Sequence, residues 1–199
     1  MMKNNNYVDA QSYYDLSINS SSTSKYGKLS KDKNVISSAL HMMAYTICLD
    51  DIDKAHGYNL RSLKISQELG DKEKELGTIN NIGNYYREKE NYPQALKYYL
   101  HSKKICEELE NIYHVGYPNW NIGCVYIHLV EYDKALTIFN DTLIESKQVN
   151  NREIIARIYA STGQILCDIG SYDEAIEKFN HSLIVRNELG FKPHIEFIT

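Results

Sequence analysis

Asn121–Leu136 reads NIGCVYIHLVEYDKAL, and Asn81–Leu96, forty residues earlier, reads NIGNYYREKENYPQAL. A chain that restates itself at a fixed distance must fold as a series of like units, each resting on the next. Slid on itself, the sequence places Gly83 on Gly123 and Gly163, Ala95 on Ala135 and Ala175, Tyr92 on Tyr132 and Tyr172, and Tyr99 on Phe139 and Phe179, with 40 residues per step and no gap. One step back, Ala55 holds the alanine position, but Met43 stands where glycine belongs. That unit is degenerate, and whatever faces Met43 must be displaced or smaller. A further echo, NYVDAQSYYDLS at Asn6–Ser17, matches only the second half of a unit. Ala10 precedes Ala55 by 45 residues, and the excess falls in the serine-rich SSSTSK of Ser20–Lys25.

Within a unit the apolar spacing is helical. Leu76, Ile79, Ile82, Gly83 and Tyr86 recur at three and four, as do Tyr92, Ala95, Leu96, Tyr99, Ile105 and Leu109. Short polar connections such as KEN predict antiparallel neighbours of about 17 residues each. Leu69–Gly70–Asp71 supplies a left-handed closing residue and then an N-cap, and Glu110–Asn111 and Asn150–Asn151 occupy equivalent places. Glycine inside a helix costs about 1 kcal/mol relative to alanine, so its return in three units requires another backbone to come close there, with Gly83 and Ala95 letting the two axes approach. Pro118 lies inside the first helix of the third unit, where it must bend the helix or make it start late, and the late start is the expectation.

These residues resemble the tetratricopeptide repeat in a lengthened form of about 40 residues. The second unit carries Ile79, Ile82–Gly83, Tyr86, Ala95, Tyr99 and Ser102; the third Asn119, Ile122–Gly123, Tyr126, Ala135, Phe139 and Thr142; the fourth Tyr159, Thr162–Gly163, Leu166, Ala175, Phe179 and Ser182. The first is weakest, with Ala39, Met42–Met43, Thr46, Ala55, Asn59 and Ser62. The resemblance implies an all-α solenoid of antiparallel helix pairs forming a right-handed superhelix. It places a half-repeat helix and serine-rich loop at 1–28, four repeats at about 29–70, 71–110, 111–150 and 151–190, and a tail or further helix at 191–199. The chain's beginning and ending in mid-unit suits either half-repeat caps or a piece of a longer array.

The same resemblance puts the first helix of each pair on a concave side and names the positions facing it. Among them are Asn80, Asn84 and Arg87 in the second unit, Tyr117, Trp120 and His128 in the third, and Arg157 and Gln164 in the fourth. Asn and Gln amides donate and accept at once, which suits an extended peptide. The arginines could pair a ligand carboxylate, and Trp120, the one Trp, with Tyr117 would form a flat apolar platform. The lysines that some family members use to clamp a C-terminal carboxylate have no counterpart. The implied function is a non-enzymatic scaffold that holds a peptide or helix of another protein. The alternatives are a peptide-sensing segment of a larger signalling protein, or a module that assembles with itself through exposed terminal helices.

Composition bounds the rest. A formal net charge of −4 argues against nucleic acid, and the apolar runs are too short for a membrane span. The N-terminus lacks the apolar core of a secretory signal. Cys48, Cys106, Cys124 and Cys167 lack metal or redox spacing and read as buried free thiols of a cytoplasmic protein. No phosphate loop, HExxH, GxSxG or kinase signature occurs, so neither cofactor nor catalysis is expected.

Overall fold

The computed structural model describes residues 33–190, so the expected half-repeat at 1–28 and the tail at 191–199 lie outside it. Among the described residues there are eight helices and no strand: α1 Lys33–Ile47, α2 Ile52–Leu69, α3 Lys72–Glu88, α4 Tyr92–Glu108, α5 Ile112–His128, α6 Tyr132–Gln148, α7 Arg152–Asp168 and α8 Tyr172–Glu188. The chain divides into two compact units, Met1–Ile105 and Cys106–Thr199.

A backbone signal repeats at the ends of α2 to α8. Gly70, Glu90, Glu110, Val130, Asn150, Gly170 and Gly190 all have φ between 51° and 82°, so a left-handed residue recurs every 20 positions. The two flanking hydrogen bonds define a Schellman closure: Gly70 N donates to Gln67 O and Asp71 N to Ser66 O, and the same pair recurs from Glu90 to Gly170. Carboxyl or carboxamide oxygens then start most of the next helices. Asp51, Asp71, Asn111 and Asn151 accept from the backbone N–H three residues on, and Asn91 does so from Gln94 at 3.3 Å. Helices of 17 residues separated by three-residue turns follow from this phase over α3–α8.

The glycine positions show what closes each pair. A Cβ on Gly83 would lie 2.5 Å from the Tyr99 ring, and one on Gly123 would lie 2.3 Å from the Phe139 ring. On Gly163 it would lie 2.9 Å from Phe179. What comes nearest each glycine is thus not the backbone expected there but the aromatic ring of the second helix, which rests on the bare backbone of the first. Ala55, Ala95, Ala135 and Ala175 are all buried, four residues before that ring position. In the first pair the exchange anticipated for Met43 is present: Met43 is fully buried and Asn59 stands at the ring position. There α1 and α2 meet instead through small hydroxyls, with Ser37 Oγ 3.1 Å from both Ser62 Oγ and Ser66 Oγ.

In the second unit, Ala135, Phe139, Ile154, Ile158 and Ile165 form the core, with Tyr117 and Trp120 packed on its margin. Asn151 is fully buried; it caps α7 and donates from Nδ2 to Tyr113 O at 2.8 Å, tying α7 to α5. The late start expected at Pro118 does not occur. α5 begins at Ile112, in phase with Lys72 and Arg152, and runs through the proline. The Asn111 cap fixes the start, and Gly116 lets the helix seat close to Ile154 and Ser146, 3.2 and 3.3 Å from where a Cβ would stand. The thiols also depart from expectation. Cys106 is buried, Cys48, just past the end of α1, is exposed, and Cys124 and Cys167 in α5 and α7 are partly exposed.

Two substitutions test the packing. Gly123→Ala should lower stability by about 1–3 kcal/mol, although the helix gains about 1 kcal/mol of propensity. Gly163→Ala should cost clearly less, because Phe179 is 38% exposed and can swing aside while Phe139 is sealed. Urea unfolding of both variants measures this, and equal losses would contradict the account. Val130 is β-branched at φ 59° and exposed, so Val130→Gly should raise the melting temperature by removing about 1 kcal/mol of strain.

Candidate functional site

Spacing on α5 and α7 builds one side-chain cluster in the second unit. Tyr117 and Trp120 lie three apart, and Glu153, Arg157 and Ser161 lie four apart, so each set shares one helix face. The Arg157 guanidinium sits over the Trp120 ring at 4.8 Å, within cation–π range. Its Nε and Nη2 donate to Glu153 Oε1 at 3.1 and 2.7 Å. The other carboxylate oxygen, Oε2, accepts from Tyr117 OH at 2.8 Å. Trp120 Nε1 donates to Ser161 Oγ at 3.0 Å. Tyr117, Trp120, Glu153 and Arg157 are all half-buried, so a guest would meet a surface whose rotamers are already fixed.

The electrostatics follow from those bonds. Burial pushes the Glu153 carboxyl upward, but the hydrogen bonds from Arg157 and Tyr117 outweigh it and hold the group below its ordinary value of 4.5. Burial raises the Tyr117 phenol far above its ordinary range, helped by its bond to Glu153. The cluster thus holds one anion, one cation and one neutral phenol at neutral pH.

The remaining expected residues lie elsewhere. Gln164 is exposed and donates to Asp168 Oδ1 at 2.8 Å, while Asp168 Oδ2 accepts from Tyr132 OH at 3.2 Å. His128 is exposed in the last turn of α5. In the first unit, Asn80, Asn84 and Arg87 share α3 and are half-buried. Asn84 Oδ1 accepts from Tyr99 OH at 2.7 Å, and Arg87 Nη2 contacts Glu88 Oε1 at 3.0 Å. Both arginines expected to meet a ligand carboxylate therefore already hold an acid of this chain.

Sequence periodicity missed Glu153 and Ser161, which fasten the platform. The Glu153–Arg157 spacing of four was a readable signal for an ion pair. Ser161 had none, because its bond to Trp120 depends on how α5 and α7 are offset. Among the described residues no group of acids, histidines and cysteines could hold a metal ion, and no helix is long and apolar enough to cross a membrane.

Residues 75–143 match the sequence profile of the family described as tetratricopeptide repeat. No curated protein matches the chain. Among solved structures, BtubC from P. vanneervenii is 14% identical, with 98% of this chain and 76% of that one aligned at a TM-score of 0.69. A Rap protein complexed with Competence and Sporulation Factor is 15% identical, with 95% and 51% covered and a TM-score of 0.72. A signal-transduction ATPase with a tetratricopeptide repeat sensor, from Pyrococcus horikoshii, is 20% identical, with 83% and 28% covered and a TM-score of 0.65. The chain spans about half the length of the Rap protein. These likenesses establish a shared helical-repeat fold.

The carboxylate at the centre of the platform is open to direct titration. The Glu153 side-chain carbon signal should titrate below 4.5, and Arg157→Ala should move it upward. Because the folded value is depressed, this group's stabilising contribution is present at neutral pH and lost as pH falls through that lower value. A Glu153 titration at or above 4.5 in the unsubstituted protein would show that the three groups are not coupled.

Proposed function

We propose that this chain of tetratricopeptide repeats is a non-catalytic interaction module that holds a peptide or helix of another protein on the first helices of its pairs. The supporting observation is the Trp120–Arg157 platform, braced by Glu153, Tyr117 and Ser161 on a face that leaves it half-exposed. Tryptophan and arginine are the residues most enriched among those that dominate binding energies, and here both are held in place before a partner arrives. Asn80 and Asn84 on α3 add carboxamides of the kind that pair with peptide backbone. The complex of a Rap protein with Competence and Sporulation Factor supports a factor-binding use of the same fold. Regulation of a larger signalling protein through such binding is the natural extension.

Self-assembly is a second reading with its own observation. Phe139 is sealed by Ile154 and Ile158 of the next helix. The matching residue Phe179 is 38% exposed, and Ile176 and Leu183 beside it are 58% and 46% exposed. The apolar face of α8 has the chemistry that α6 uses to receive α7.

The test is capture of partners from the source cell by the protein and by its Asn84→Ala/Trp120→Ala/Arg157→Ala variant. Loss of capture with unchanged far-UV circular dichroism supports the partner reading, and unchanged capture sinks it. Light scattering across a concentration series decides the second: a mass that stays monomeric at high concentration argues against assembly through α8.

A further inference from the structure

The first unit contains a cleft of about 620 Å³ lined by α1, α2 and α3. Its lining includes apolar Leu49 and Ile52, polar His56 and Asn59, and charged Glu88 and Lys89. Two of its lining residues each carry a sealed polar atom without a partner. Asn59 is 5% exposed, and its Oδ1 accepts no hydrogen bond; the buried Nδ1 of His56 makes none either. A buried polar group left unpaired costs about 1–3 kcal/mol, and two along one cleft mark a place where something else supplies the bonds.

The repeat register says what is missing. Forty residues on from Asn59 stands Tyr99, whose hydroxyl donates to Asn84 Oδ1 at 2.7 Å. Forty residues before Asn84 stands Ala44, which has no hydrogen-bonding side chain and lines the cleft. The phenol–carboxamide pair of the second repeat is thus half-dismantled in the first: the ring is absent, the carboxamide has changed helix, and its oxygen is vacant. A carboxamide both donates and accepts, so Asn59, once rotated toward the cleft, can bond a hydroxyl there through either of its polar atoms. His56 lies flat against Tyr85, with centroids 3.8 Å apart and planes 2° apart, giving the cleft an aromatic side.

We propose that this cleft receives a single hydroxylated aromatic ring, the side chain of a tyrosine presented by the partner, with the phenol hydroxyl bonded to Asn59 and the ring held by the apolar walls beside His56. It deepens the partner reading by naming the chemistry of one side chain, and it rests on that reading only in assigning the ring to a protein.

The probes are N-acetyl-tyrosinamide and N-acetyl-phenylalaninamide, titrated into the isotope-labelled full chain. Tyrosinamide should shift the Asn59 side-chain amide and His56 ring signals saturably, and phenylalaninamide should bind about three- to tenfold more weakly, as loss of one hydrogen bond requires. Asn59→Leu should abolish that preference. Cys48→Trp, at an exposed position on the rim, should block both probes, and it carries the test even where Asn59→Leu fails to fold. No saturable shift at Asn59 and His56, equal affinity for the two probes, or binding unaffected by Cys48→Trp overturns the proposal. Tyrosinamide binding beside partner capture that the Asn84→Ala/Trp120→Ala/Arg157→Ala substitutions leave unchanged keeps the cleft and sinks the partner reading; failed probe binding beside capture that those substitutions abolish sinks the cleft alone.

Discussion

The contact on which the pairs depend is an aromatic ring laid against helix backbone at a residue without a side chain. Tyr99 on Gly83, Phe139 on Gly123 and Phe179 on Gly163 each occupy space that a single methyl would contest. Such a contact yields dense packing, about 25 cal/mol for each Å² of apolar surface removed from water, and it brings two helix axes closer than ordinary side chains permit. It also demands register. Ring and glycine must meet at the same level in every pair, so the lengths of helix and turn between them cannot drift.

That demand explains the severity of the 20-residue phase. Glu90, Glu110, Val130 and Asn150 all adopt a left-handed backbone that costs a non-glycine residue free energy. The closure is kept regardless of the residue that fills it. The N-caps one position later serve the same end, fixing where the next helix begins. Pro118 makes the point from the opposite side. A residue that ordinarily breaks helices sits in the interior of α5, and the helix keeps its phase with α3 and α7. Tertiary placement overrides local preference because a shifted α5 would lose the seat of Phe139 on Gly123 and the Asn151 bond to Tyr113.

This division also separates what the sequence discloses from what it withholds. Helix pairing, turn positions and the glycine contacts are periodic, so matching residues 40 apart expose them. Trp120 and Arg157 were legible one at a time, as first-helix positions. Their union was not, because the cation–π contact, the Glu153 brace and the Ser161 bond join α5 to α7 through rotamers and helix offset, which no repeat pattern encodes. The thiols misled for a related reason: a scattered cysteine has a strong average tendency to be buried, yet Cys48 falls in the turn after α1 and Cys124 and Cys167 on first-helix positions, where exposure depends on the stack rather than on the residue. A late start at Pro118 was the local expectation, and it failed because local propensity is the weaker term.

The first repeat shows how a periodic scaffold acquires a site without adding an element. Its exchange of glycine and aromatic for Met43 and Asn59 roughly conserves the combined bulk while moving it from the second helix to the first. Hydrophobic packing is satisfied, since Met43 joins Leu40 in a sealed cluster. Hydrogen bonding is not: Tyr99 bonds Asn84, the residues at the same register in the first repeat are Asn59 and Ala44, and Asn59 Oδ1 has no partner. Apolar contacts are tolerant of such a swap, since volume is what they require, whereas a carboxamide needs a particular atom at a particular distance. A departure from the repeat that repairs the core and strands a polar group is therefore more than decay of the pattern. It is the kind of local inconsistency expected where a chain is shaped for contact with something beyond itself.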